Sequence, residues 1–474
     1  MNITEKDYVK IIPSKRQLKH QKMEFYAFFH FSMNTYTNRE WGDGKEDTEI
    51  FYPEQLDARQ WIRAIKGAGM KGAILTCKHH DGFCLWPSRF TSHSISASPY
   101  HGGKADIVKE VSDACKAEGV KFGIYLSPWD RNQMSYGEGK AYNDYFVNQL
   151  KELLTDYGEI FTVWLDGACG EGISGKKQGY DWERYYEVIR RLQPGACIAV
   201  CGPDIRWCGN EAGEVRPSEW SVVAKKLAAA ERIQAASQQK DSTHFRKRSF
   251  KSSDLDLGSR KALEGEQELI WYPAEVNTSI RPGWFYHKEE DTKVKSLQEL
   301  LNIYYGSVGG NSTFLLNIPP TPQGLIHEND LCRLRELGNA IQEAFSLNIA
   351  ETARMSADKD DGKHIVEYLR KDEDRTFYKT KDGDRSACIT VNFDREMNVR
   401  FIVLKENIRL SQRIEKFNIQ IRRNNQYETV YEGTVVGYKK IVLLNNNEVI
   451  KCKELRVCIT ESRVSPTLSF LGIY

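Results

Sequence analysis

Short apolar runs that each end in polar side chains recur along the first two thirds of the chain. The run FTVWLDG, residues 161–167, is apolar up to Asp166 and closes on a glycine. Other runs end in His30 (FYAFFHF), in His79, His80 and Asp81 (GAILTCKHHDG), in Ser127, Trp129 and Asp130 (KFGIYLSPWD) and in Glu275 (LIWYPAEVNTS). Continuous apolar runs are typical of strands buried in a parallel sheet. Polar groups gathered at the carboxyl ends of such strands are typical of an enzyme built on a (β/α)8 barrel.

Amphipathic helical patterns alternate with these runs, which predicts a parallel sheet with helical connections. We predict strands at 25–31, 72–79, 121–127, 161–167, 196–202, 269–277 and 312–318. Helical patterns lie at 57–70, 104–120, 143–158, 296–309 and 328–345, with Asp57 and Asn143 as N-cap candidates and Gly119 and Gly158 as C-cap candidates. These strands fit a (β/α)8-like barrel in which one strand escapes detection. An open, doubly wound sheet is the alternative.

Two segments depart from this alternation. Residues 221–263 contain a charged helical pattern and then the basic run HFRKRSFK, which predicts a solvated insertion on the barrel rim rather than a phosphate site. Beyond about residue 349 the chain turns to short alternating strands such as ACITVNF, KFNIQIRR and ELRVCIT. Strands of this length and spacing favour an all-β sandwich. We therefore predict a catalytic barrel over residues 1–347 and a β-sandwich over residues 348–474.

Composition excludes several classes of function. The 474 residues include 67 Lys and Arg against 65 Asp and Glu, and this balance argues against a nucleic-acid partner. No run of 18 apolar residues occurs, so no membrane span is predicted, and the N-terminal segment lacks the apolar core of a signal peptide. The 11 cysteines form no CxxC pair, which argues against zinc and disulfide frameworks and favours buried thiols.

Asp166 is the first catalytic candidate, because a carboxylate at a strand end followed by Gly167 is accessible to a ligand. The alternative is an Asp that caps a helix or a loop. Acid/base chemistry on a glycosidic bond needs a second carboxylate. Glu211, in GPDIRWCGNEAG, and Glu275 are equally good candidates on spacing. Either could instead pair with a nearby arginine, Arg206 or Arg281.

Three histidines, His30, His79 and His80, are predicted at the same mouth. They permit a metal-dependent hydrolase, in which they would bind zinc. No accompanying carboxylates have clear metal spacing, so hydrogen bonding to sugar hydroxyls is the favoured interpretation, and no metal site is predicted.

Aromatic and glycine-rich loops surround these residues. Trp41, Trp129 and Trp284 lie in predicted mouth loops and favour a stacking platform for a sugar. The segment GEGISG, residues 170–175, matches GxGxxG, but the pattern alone is weak, and Glu171 and Asp166 would repel a phosphate.

Taken together, these segments resemble the α-L-fucosidases of glycoside hydrolase family 29. The matching segments are FFHFSMNTYTNREWGDG, LTCKHHDGFCLWPS, YLSPWDRN, VWLDGACGEGISGKKQGYDW, GPDIRWCGNEAG, EVNTSIRPGWFYH and LLNIPPTPQGL. The resemblance implies a retaining exo-hydrolysis of terminal α-L-fucose. Asp166 matches the nucleophile position, and Glu211 matches the general acid/base of the subfamily that prefers α-1,3/4-linked fucose on branched, Lewis-type sugars. The insertion at 221–263 is also similar to that subfamily.

The resemblance also implies substrate contacts and a domain type. Its fucose-binding residues fall on His30, Glu40, Trp41, His79, His80, Tyr125, Trp129 and Trp284. The region from NIAETARMSAD onward resembles an accessory sandwich of the discoidin or galactose-binding type, with a role in glycan binding or in bracing the barrel.

No cofactor is implied, and the expected partner is a fucosylated glycan. The family habit suggests a periplasmic or cell-surface bacterial enzyme, with a cytoplasmic location as the alternative. A broader specificity that includes α-1,2 linkages and a catalytically silent fucose-binding protein remain open, as does the oligomeric state.

Overall fold

A computed structural model describes residues 4–238, 250, 254–373, 375–444 and 449–474. The first part of the chain contains strands β1 (Phe25–Phe29), β2 (Gly72–Lys78), β3 (Lys121–Leu126), β4 (Ile160–Leu165), β5 (Cys197–Val200), β6 (Arg206–Trp207), β7 (Val222–Ala224), β8 (Leu269–Trp271), β9 (Ala274–Ser279) and β10 (Ser312–Asn317). Eight of these described strands form one sheet in the order β5-β4-β3-β2-β1-β10-β9-β6. A parallel bridge between Ala199 and Ile205 links its two ends. The sheet is therefore a nearly closed barrel, and the predicted (β/α)8-like fold is confirmed.

The strand that the sequence pattern misses is β6, which has only two residues and hence no apolar run. The predicted strand 269–277 is wrong in part. Its first three residues form β8, which pairs antiparallel with β7 outside the barrel, and the barrel strand β9 begins only at Ala274. Pro273 separates the two strands, and it has no N–H to continue a ladder.

The described helices are α1 (Glu5–Tyr8), α2 (Lys15–Gln21), α3 (Met33–Thr37), α4 (Ala58–Gly67), α5 (Ile107–Glu118), α6 (Lys140–Asp156), α7 (Trp182–Leu192), α8 (Ala230–Ser237), α9 (Leu297–Ser307) and α10 (Glu328–Ala344). Asp57 caps α4 by accepting from the Gln60 amide, as predicted. Gly119 ends α5 in the left-handed conformation, with φ of 70°. The cap assigned to Asn143 is wrong: α6 begins at Lys140, so Asn143 lies inside the helix.

The barrel interior is filled by side chains from alternate positions of each strand. On β1, Tyr26 and Phe28 lie inside, and His30 follows at the open end. The buried interior cluster consists of Met23, Tyr26, Phe28, Ile74, Tyr125, Trp164, Cys197, Ala199, Val200, Ile205 and Leu315. This packing closes the barrel interior below the polar residues. The mouth is therefore a cup-shaped depression, and aromatic side chains of the interior cluster form its floor.

The predicted insertion lies against the mouth. Its charged helix is α8, and Gln238 just beyond it donates to the Gly167 carbonyl at 3.2 Å. A Cβ on Gly167 would stand 2.3 Å from Ser237 Oγ, so the glycine permits this close approach. Of the basic run HFRKRSFK, only Phe250 lies within the described residues, and its ring is covered by the Arg216 guanidinium at 4.2 Å.

The C-terminal part is the predicted all-β sandwich. Its described strands are β11 (Arg354–Ala357), β12 (Tyr378–Lys379), β13 (Ala387–Val399), β14 (Phe401–Lys405), β15 (Ile414–Arg423), β16 (Gln426–Gly433), β17 (Lys440–Leu443), β18 (Ile450–Ser462), β19 (Thr467–Leu468) and β20 (Phe470–Ile473). Five form the sheet β11-β13-β18-β15-β16, and three form β17-β14-β20 in the described residues. The predicted boundary at residues 347 and 348 falls between α10 and β11 and stays a prediction.

The cysteines follow the sequence prediction with one exception. Cys388 on β13 and Cys458 on β18 lie opposite each other and form a disulfide, which the spacing along the chain did not reveal. Most of the other described cysteines are buried. The described helices include none with the length and apolarity needed to cross a bilayer.

Apolar and charged contacts join barrel and sandwich. Phe401 of β14 packs against Tyr305 of α9, with ring centroids 5.3 Å apart. The buried Glu24, which precedes β1, pairs with Lys439 at 3.1 Å and with Lys405 at 3.6 Å, both from the sandwich. The sandwich thus packs on the barrel through a shared, largely buried surface.

Candidate active site

Asp166 directly follows β4 and lies at the barrel mouth, with 20% of its side chain exposed. The Tyr125 hydroxyl donates to Oδ2 at 2.8 Å, and the Ala168 amide donates to Oδ1 at 2.8 Å. Burial raises the pKa of Asp166, and these two hydrogen bonds oppose the rise. Burial and the Asp166 charge in turn raise the pKa of Tyr125 well above its usual value, so the phenol stays protonated and keeps donating. Asp166 is a solvent-accessible carboxylate held by neutral donors.

His80 faces Asp166 through its ring nitrogen Nε2. Its Nδ1 lies 2.7 Å from Ser127 Oγ, and Ser127 donates its single proton to the Trp129 carbonyl. Nδ1 must therefore carry the imidazole proton, which leaves Nε2 as an acceptor. Nε2 lies 3.8 Å from Asp166 Oδ2, too far for a direct hydrogen bond. Burial and nearby positive groups lower the pKa of His80 to about 3, so the ring is neutral near pH 7.

His79 and His30 complete the imidazole cluster. Asn34 donates to His79 Nδ1 at 3.3 Å, which places the His79 proton on Nε2. Burial and the neighbouring rings of His80 and His30 lower the pKa of His79 well below its usual value. His30 Nδ1 lies 2.8 Å from the Asn317 side-chain oxygen, an acceptor, so His30 donates there. No three His, Cys, Asp or Glu side chains are grouped as metal ligands in the described ranges.

Glu211 is connected to the same cluster through Trp284. The indole Nε1 of Trp284 donates to Glu211 Oε2 at 3.0 Å, and its ring lies 5.1 Å from that of His30. The ring of His30 is in turn 6.1 Å from that of Tyr125, which holds Asp166. The two predicted catalytic carboxylates thus border one continuous set of rings, each from a different strand end or loop.

The loop that carries Trp284 is held by Glu40. The carboxylate of Glu40 accepts from the amides of Trp284 at 2.9 Å and Phe285 at 3.2 Å, and His287 Nε2 lies 2.8 Å away. Burial alone would lower the pKa of His287, but the hydrogen bond to Glu40 and its charge raise it. These contacts make Glu40 a brace for the loop, whereas the resemblance implies that it touches the sugar. A direct contact with a sugar stays a prediction.

Trp41 and Trp129 form an aromatic wall beside His80. Their rings are perpendicular, with centroids 5.3 Å apart, and both contact the His80 ring, at 5.7 and 4.9 Å. The Trp129 indole donates to the Glu171 carbonyl in the loop after β4. The predicted stacking residues are therefore at the mouth, although Trp129 is itself largely buried.

Glu275 does not lie at the mouth. It is the second residue of β9, near the amino end of the strand, and its side chain is fully buried. Its carboxylate accepts from Tyr26 and from Trp164 Nε1. Its pKa is raised to about 7 because the group is buried. The expectation that Glu275 ends a strand is wrong, because Pro273 delays the start of β9, and Glu211 is the carboxylate that the fold brings to the mouth.

A family model described as alpha-L-fucosidase matches residues 11–344. The chain belongs to the α-L-fucosidase family. Alpha-L-fucosidase 1 of Arabidopsis thaliana is 36% identical over 471 residues, which cover 98% of this chain and 87% of the plant protein. The likeness to this family member therefore extends through both the barrel and the sandwich.

Solved structures of glycoside hydrolase family 29 share the fold. A Ruminococcus gnavus fucosidase of that family, in complex with fucose, is 28% identical with a TM-score of 0.83, covering 100% of this chain and 98% of that one. A family 29 member from an unknown rumen bacterium is 38% identical with a TM-score of 0.80, covering 98% of this chain and 77% of that one. The barrel followed by a sandwich is thus an arrangement found within the family.

Two residues that orient side chains of the site, Asn317 and Asn34, were not predicted from the sequence. Asn317, the last residue of β10, binds His30 and also donates to Ser279 Oγ and to the Trp284 carbonyl. The rule that polar residues end barrel strands would have found it. Asn34, on the short helix α3, has no such signal. Asp130 makes a buried ion pair with Lys78 at 2.9 Å and so belongs to the framework.

The glycine-rich segment GEGISG has a packing role. No helix begins until Trp182, so no helix N-terminus is available for a phosphate. A Cβ on Gly170 would lie 2.5 Å from the Trp129 ring, and one on Gly172 would lie 2.5 Å from Tyr136. The glycines allow this loop to lie flat on two aromatic rings at the mouth.

Proposed function

We propose that the protein is a retaining exo-α-L-fucosidase that uses Asp166 as nucleophile and Glu211 as general acid/base. The observation that supports this most directly is the placement of an accessible carboxylate, held by neutral donors, on the same ring-lined mouth as a second carboxylate. Retaining glycosidases need two carboxyl groups about 5 Å apart on opposite sides of the scissile bond. Membership of the α-L-fucosidase family supports fucose as the sugar.

In the proposed first step an oxygen of Asp166 attacks C1 of the fucosyl group. Glu211 donates a proton to the glycosidic oxygen, the C1–O bond breaks, and a β-fucosyl ester forms on Asp166. In the second step Glu211 takes a proton from water, the water oxygen attacks C1, and α-L-fucose leaves. The two inversions restore the original configuration.

The neutral imidazoles suit recognition of sugar hydroxyls. His80 Nε2 and Asp166 Oδ2 are two acceptors that face each other across 3.8 Å. A hydroxyl group that approaches both can donate to one of them and remain close to the other. A sugar without a hydroxyl there would leave a buried acceptor unpaired, at a cost of about 1–3 kcal/mol. The walls of Trp41 and Trp284 supply the flat apolar surfaces on which a sugar ring and its methyl group stack.

We also propose a preference for α-1,3/4-linked fucose on branched sugars. The GPDIRWCGNEAG segment and the 221–263 insertion, whose helix α8 packs beside the Asp166 loop, support this preference. An open cavity beside Glu211, lined by Ala212, Pro282 and Val294 among others, offers space for the sugar that leaves.

The test compares fucose release from a Lewis-type trisaccharide carrying α-1,3/4-fucose with release from 2′-fucosyllactose. We expect release from the branched sugar alone, with α-L-fucose as the first anomer seen by proton NMR. Equal release from both sugars would contradict the linkage preference, and β-L-fucose as the first product would contradict retention.

Asp166→Asn tests the nucleophile. The amide keeps the shape, its oxygen can still accept from the Ala168 amide and its NH2 group can donate to the Tyr125 oxygen, so melting temperature and fucose binding should be unchanged while kcat falls on the order of 10³-fold or more. Retained turnover would remove Asp166 from the mechanism. Absence of release by the unaltered protein from any α-fucoside would favour a silent binding protein.

A further inference from the structure

Glu275 is a buried acid below the site that the proposed mechanism does not use. Its two oxygens accept from different rings: Oε2 from the Tyr26 hydroxyl, and Oε1 from Trp164 Nε1 at 2.8 Å. No described cation contributes to its electrostatic environment. A fully buried carboxyl group without a counter-ion is costly to keep, so its retention in the floor of the cup calls for a role.

Trp164 connects Glu275 in the barrel floor to residues at the mouth. Trp164 and Asp166 are two residues apart at the end of β4, so both point into the barrel. The Trp164 ring stacks on that of Tyr125, with centroids 5.3 Å apart and planes at 28°. Tyr125 then donates to Asp166 Oδ2 at 2.8 Å. A single chain of contacts therefore runs from the barrel floor to the candidate nucleophile.

The hydrogen bond from the Trp164 indole N–H fixes the orientation of the Trp164 ring in this series of contacts. A buried indole needs an acceptor, and leaving one unpaired costs about 1–3 kcal/mol. Glu275 supplies the acceptor for Trp164, and Phe28 packs on the same ring at 5.4 Å. Without the carboxylate the Trp164 indole N–H loses its acceptor, and the indole ring can reorient. The Tyr125 ring that stacks on it then loses a fixed packing surface.

We infer that Glu275 is a positioning residue for the nucleophile, acting through Trp164 and Tyr125 on Asp166. This inference rests on the proposed function, because it assigns Glu275 a part in the same reaction. Glu275 would not touch the sugar. It would keep the Tyr125 hydroxyl aimed at Asp166, and so would affect kcat and the ionisation of the nucleophile more than KM.

The test compares Glu275→Leu, Glu275→Gln and Tyr26→Phe. Glu275→Leu removes the acceptor, and we expect kcat to fall about 10- to 100-fold, as for a small misplacement of a catalytic group. The acid limb of the kcat/KM profile should move to higher pH, because the Tyr125 bond that favours ionised Asp166 is weakened. Glu275→Gln should retain most of the activity, since its amide oxygen still accepts from Trp164 and its NH2 group faces the Tyr26 oxygen.

Tyr26→Phe is the matched control. It removes the other donor to the same carboxylate but none of the contacts that lead from Glu275 through Trp164 and Tyr125 to Asp166. We therefore expect kcat to change by no more than about twofold and the acid limb to stay at the same pH. If Tyr26→Phe and Glu275→Leu had the same effect on the pH profile, Glu275 would be a merely structural residue and the inference would fail.

A double-mutant cycle with Tyr125→Phe tests the route. Once the Tyr125 hydroxyl is gone, Glu275→Leu should move the acid limb no further; an equal shift in both backgrounds would overturn the inference. If Glu275→Leu does not fold, Trp164→Phe removes the donor and keeps a ring, and the same shift is expected. Turnover by Asp166→Asn would refute the proposed function instead, so the two failures are distinguishable.

Discussion

At the scale of single residues, neutral hydrogen-bonding groups surround Asp166, a partly exposed carboxylate. Burial keeps His79 and His80 uncharged by lowering the pKa of each. A charged imidazolium beside Asp166 would stabilise the carboxylate and so weaken the proposed nucleophile. In the proposed mechanism, neutral rings leave the charge of Asp166 available to stabilise the positive charge that develops on the sugar.

The pH dependence of Tyr125→Phe follows from this arrangement. The hydrogen bond from Tyr125 lowers the pKa of Asp166 against the effect of burial. Its removal therefore raises that pKa, and the acid limb of kcat/KM should move to higher pH, with a loss of about tenfold or more at acidic pH for a charge-assisted bond. An acid limb at the same pH as in the unaltered enzyme would show that Tyr125 does not influence the nucleophile.

Glu211→Ala should divide substrates by their leaving groups. Oligosaccharides, which need a proton on the leaving oxygen, should be cleaved about 10²- to 10⁴-fold more slowly, whereas aryl fucosides with acidic phenols should form the fucosyl-enzyme nearly as fast. Azide should then accelerate turnover of the aryl substrate and give α-fucosyl azide, because two inversions occur. Glu275→Ala serves as the comparison: if it showed this pattern and Glu211→Ala did not, the acid/base assignment would be wrong.

At the scale of elements, strand ends and loops position different side chains of the site. Strand ends deliver His30, His80 and Asp166 with little freedom, since parallel strands of a barrel are mutually aligned. The loop at 283–287 must deliver Trp284 without that support. Glu40 supplies it through two backbone amides and His287.

Glu40→Gln should loosen this loop. A neutral amide cannot satisfy three donors as the carboxylate does, so we expect KM to rise about tenfold and kcat to change less. The pKa of His287, which Glu40 raises, should fall, and a histidine titration by NMR would detect this. Asp43→Asn, an exposed carboxylate in the same segment, is the control. Unchanged KM with a lowered His287 pKa would separate the ion pair from substrate binding.

At the scale of the whole molecule, Glu24 joins the barrel to the sandwich. It lies between Lys71 of the barrel and Lys405 and Lys439 of the sandwich. Burial raises the pKa of Glu24, but these lysines outweigh it and hold the pKa well below its usual value. Its contribution to stability is therefore present above the ordinary glutamate pKa and is lost only as acid protonates it in the folded protein.

Glu24→Gln should destabilise the protein by about 3 kcal/mol near pH 7, because it removes the carboxylate that pairs with the largely buried Lys439 ammonium. The difference from the unaltered protein should shrink on strong acidification, which denaturant melts at several pH values would measure. Glu159→Gln, which breaks an exposed pair with Lys121, should cost no more than about 1 kcal/mol. Equal losses from both variants would show that the interface pair has no special role.

Much of the candidate site was predictable because barrel strands end together. Polar side chains that follow the carboxyl end of a barrel strand reach one mouth, which is why the sequence alone places His30, His79, His80 and Asp166 there. The same reasoning misplaced Glu275, because a strand's start depends on Pro273 and on pairing with β6, a strand of two residues. Cys388 and Cys458 are 70 residues apart, and only the pairing of β13 with β18 brings them together.

The sequence by itself determined the barrel, the sandwich and the chemistry of the mouth, since each depends on local periodicity and on residue type. Only the tertiary structure placed Glu211 at the mouth and Glu275 in the barrel floor, assigned Glu40 to the loop and set the protonated nitrogens of His30, His79 and His80. Those outcomes depend on burial and on hydrogen-bond partners that lie far apart in the chain, as Trp164 and Glu275 do. Local patterns carry no information about such distances, because they arise only when the strands close into a ring.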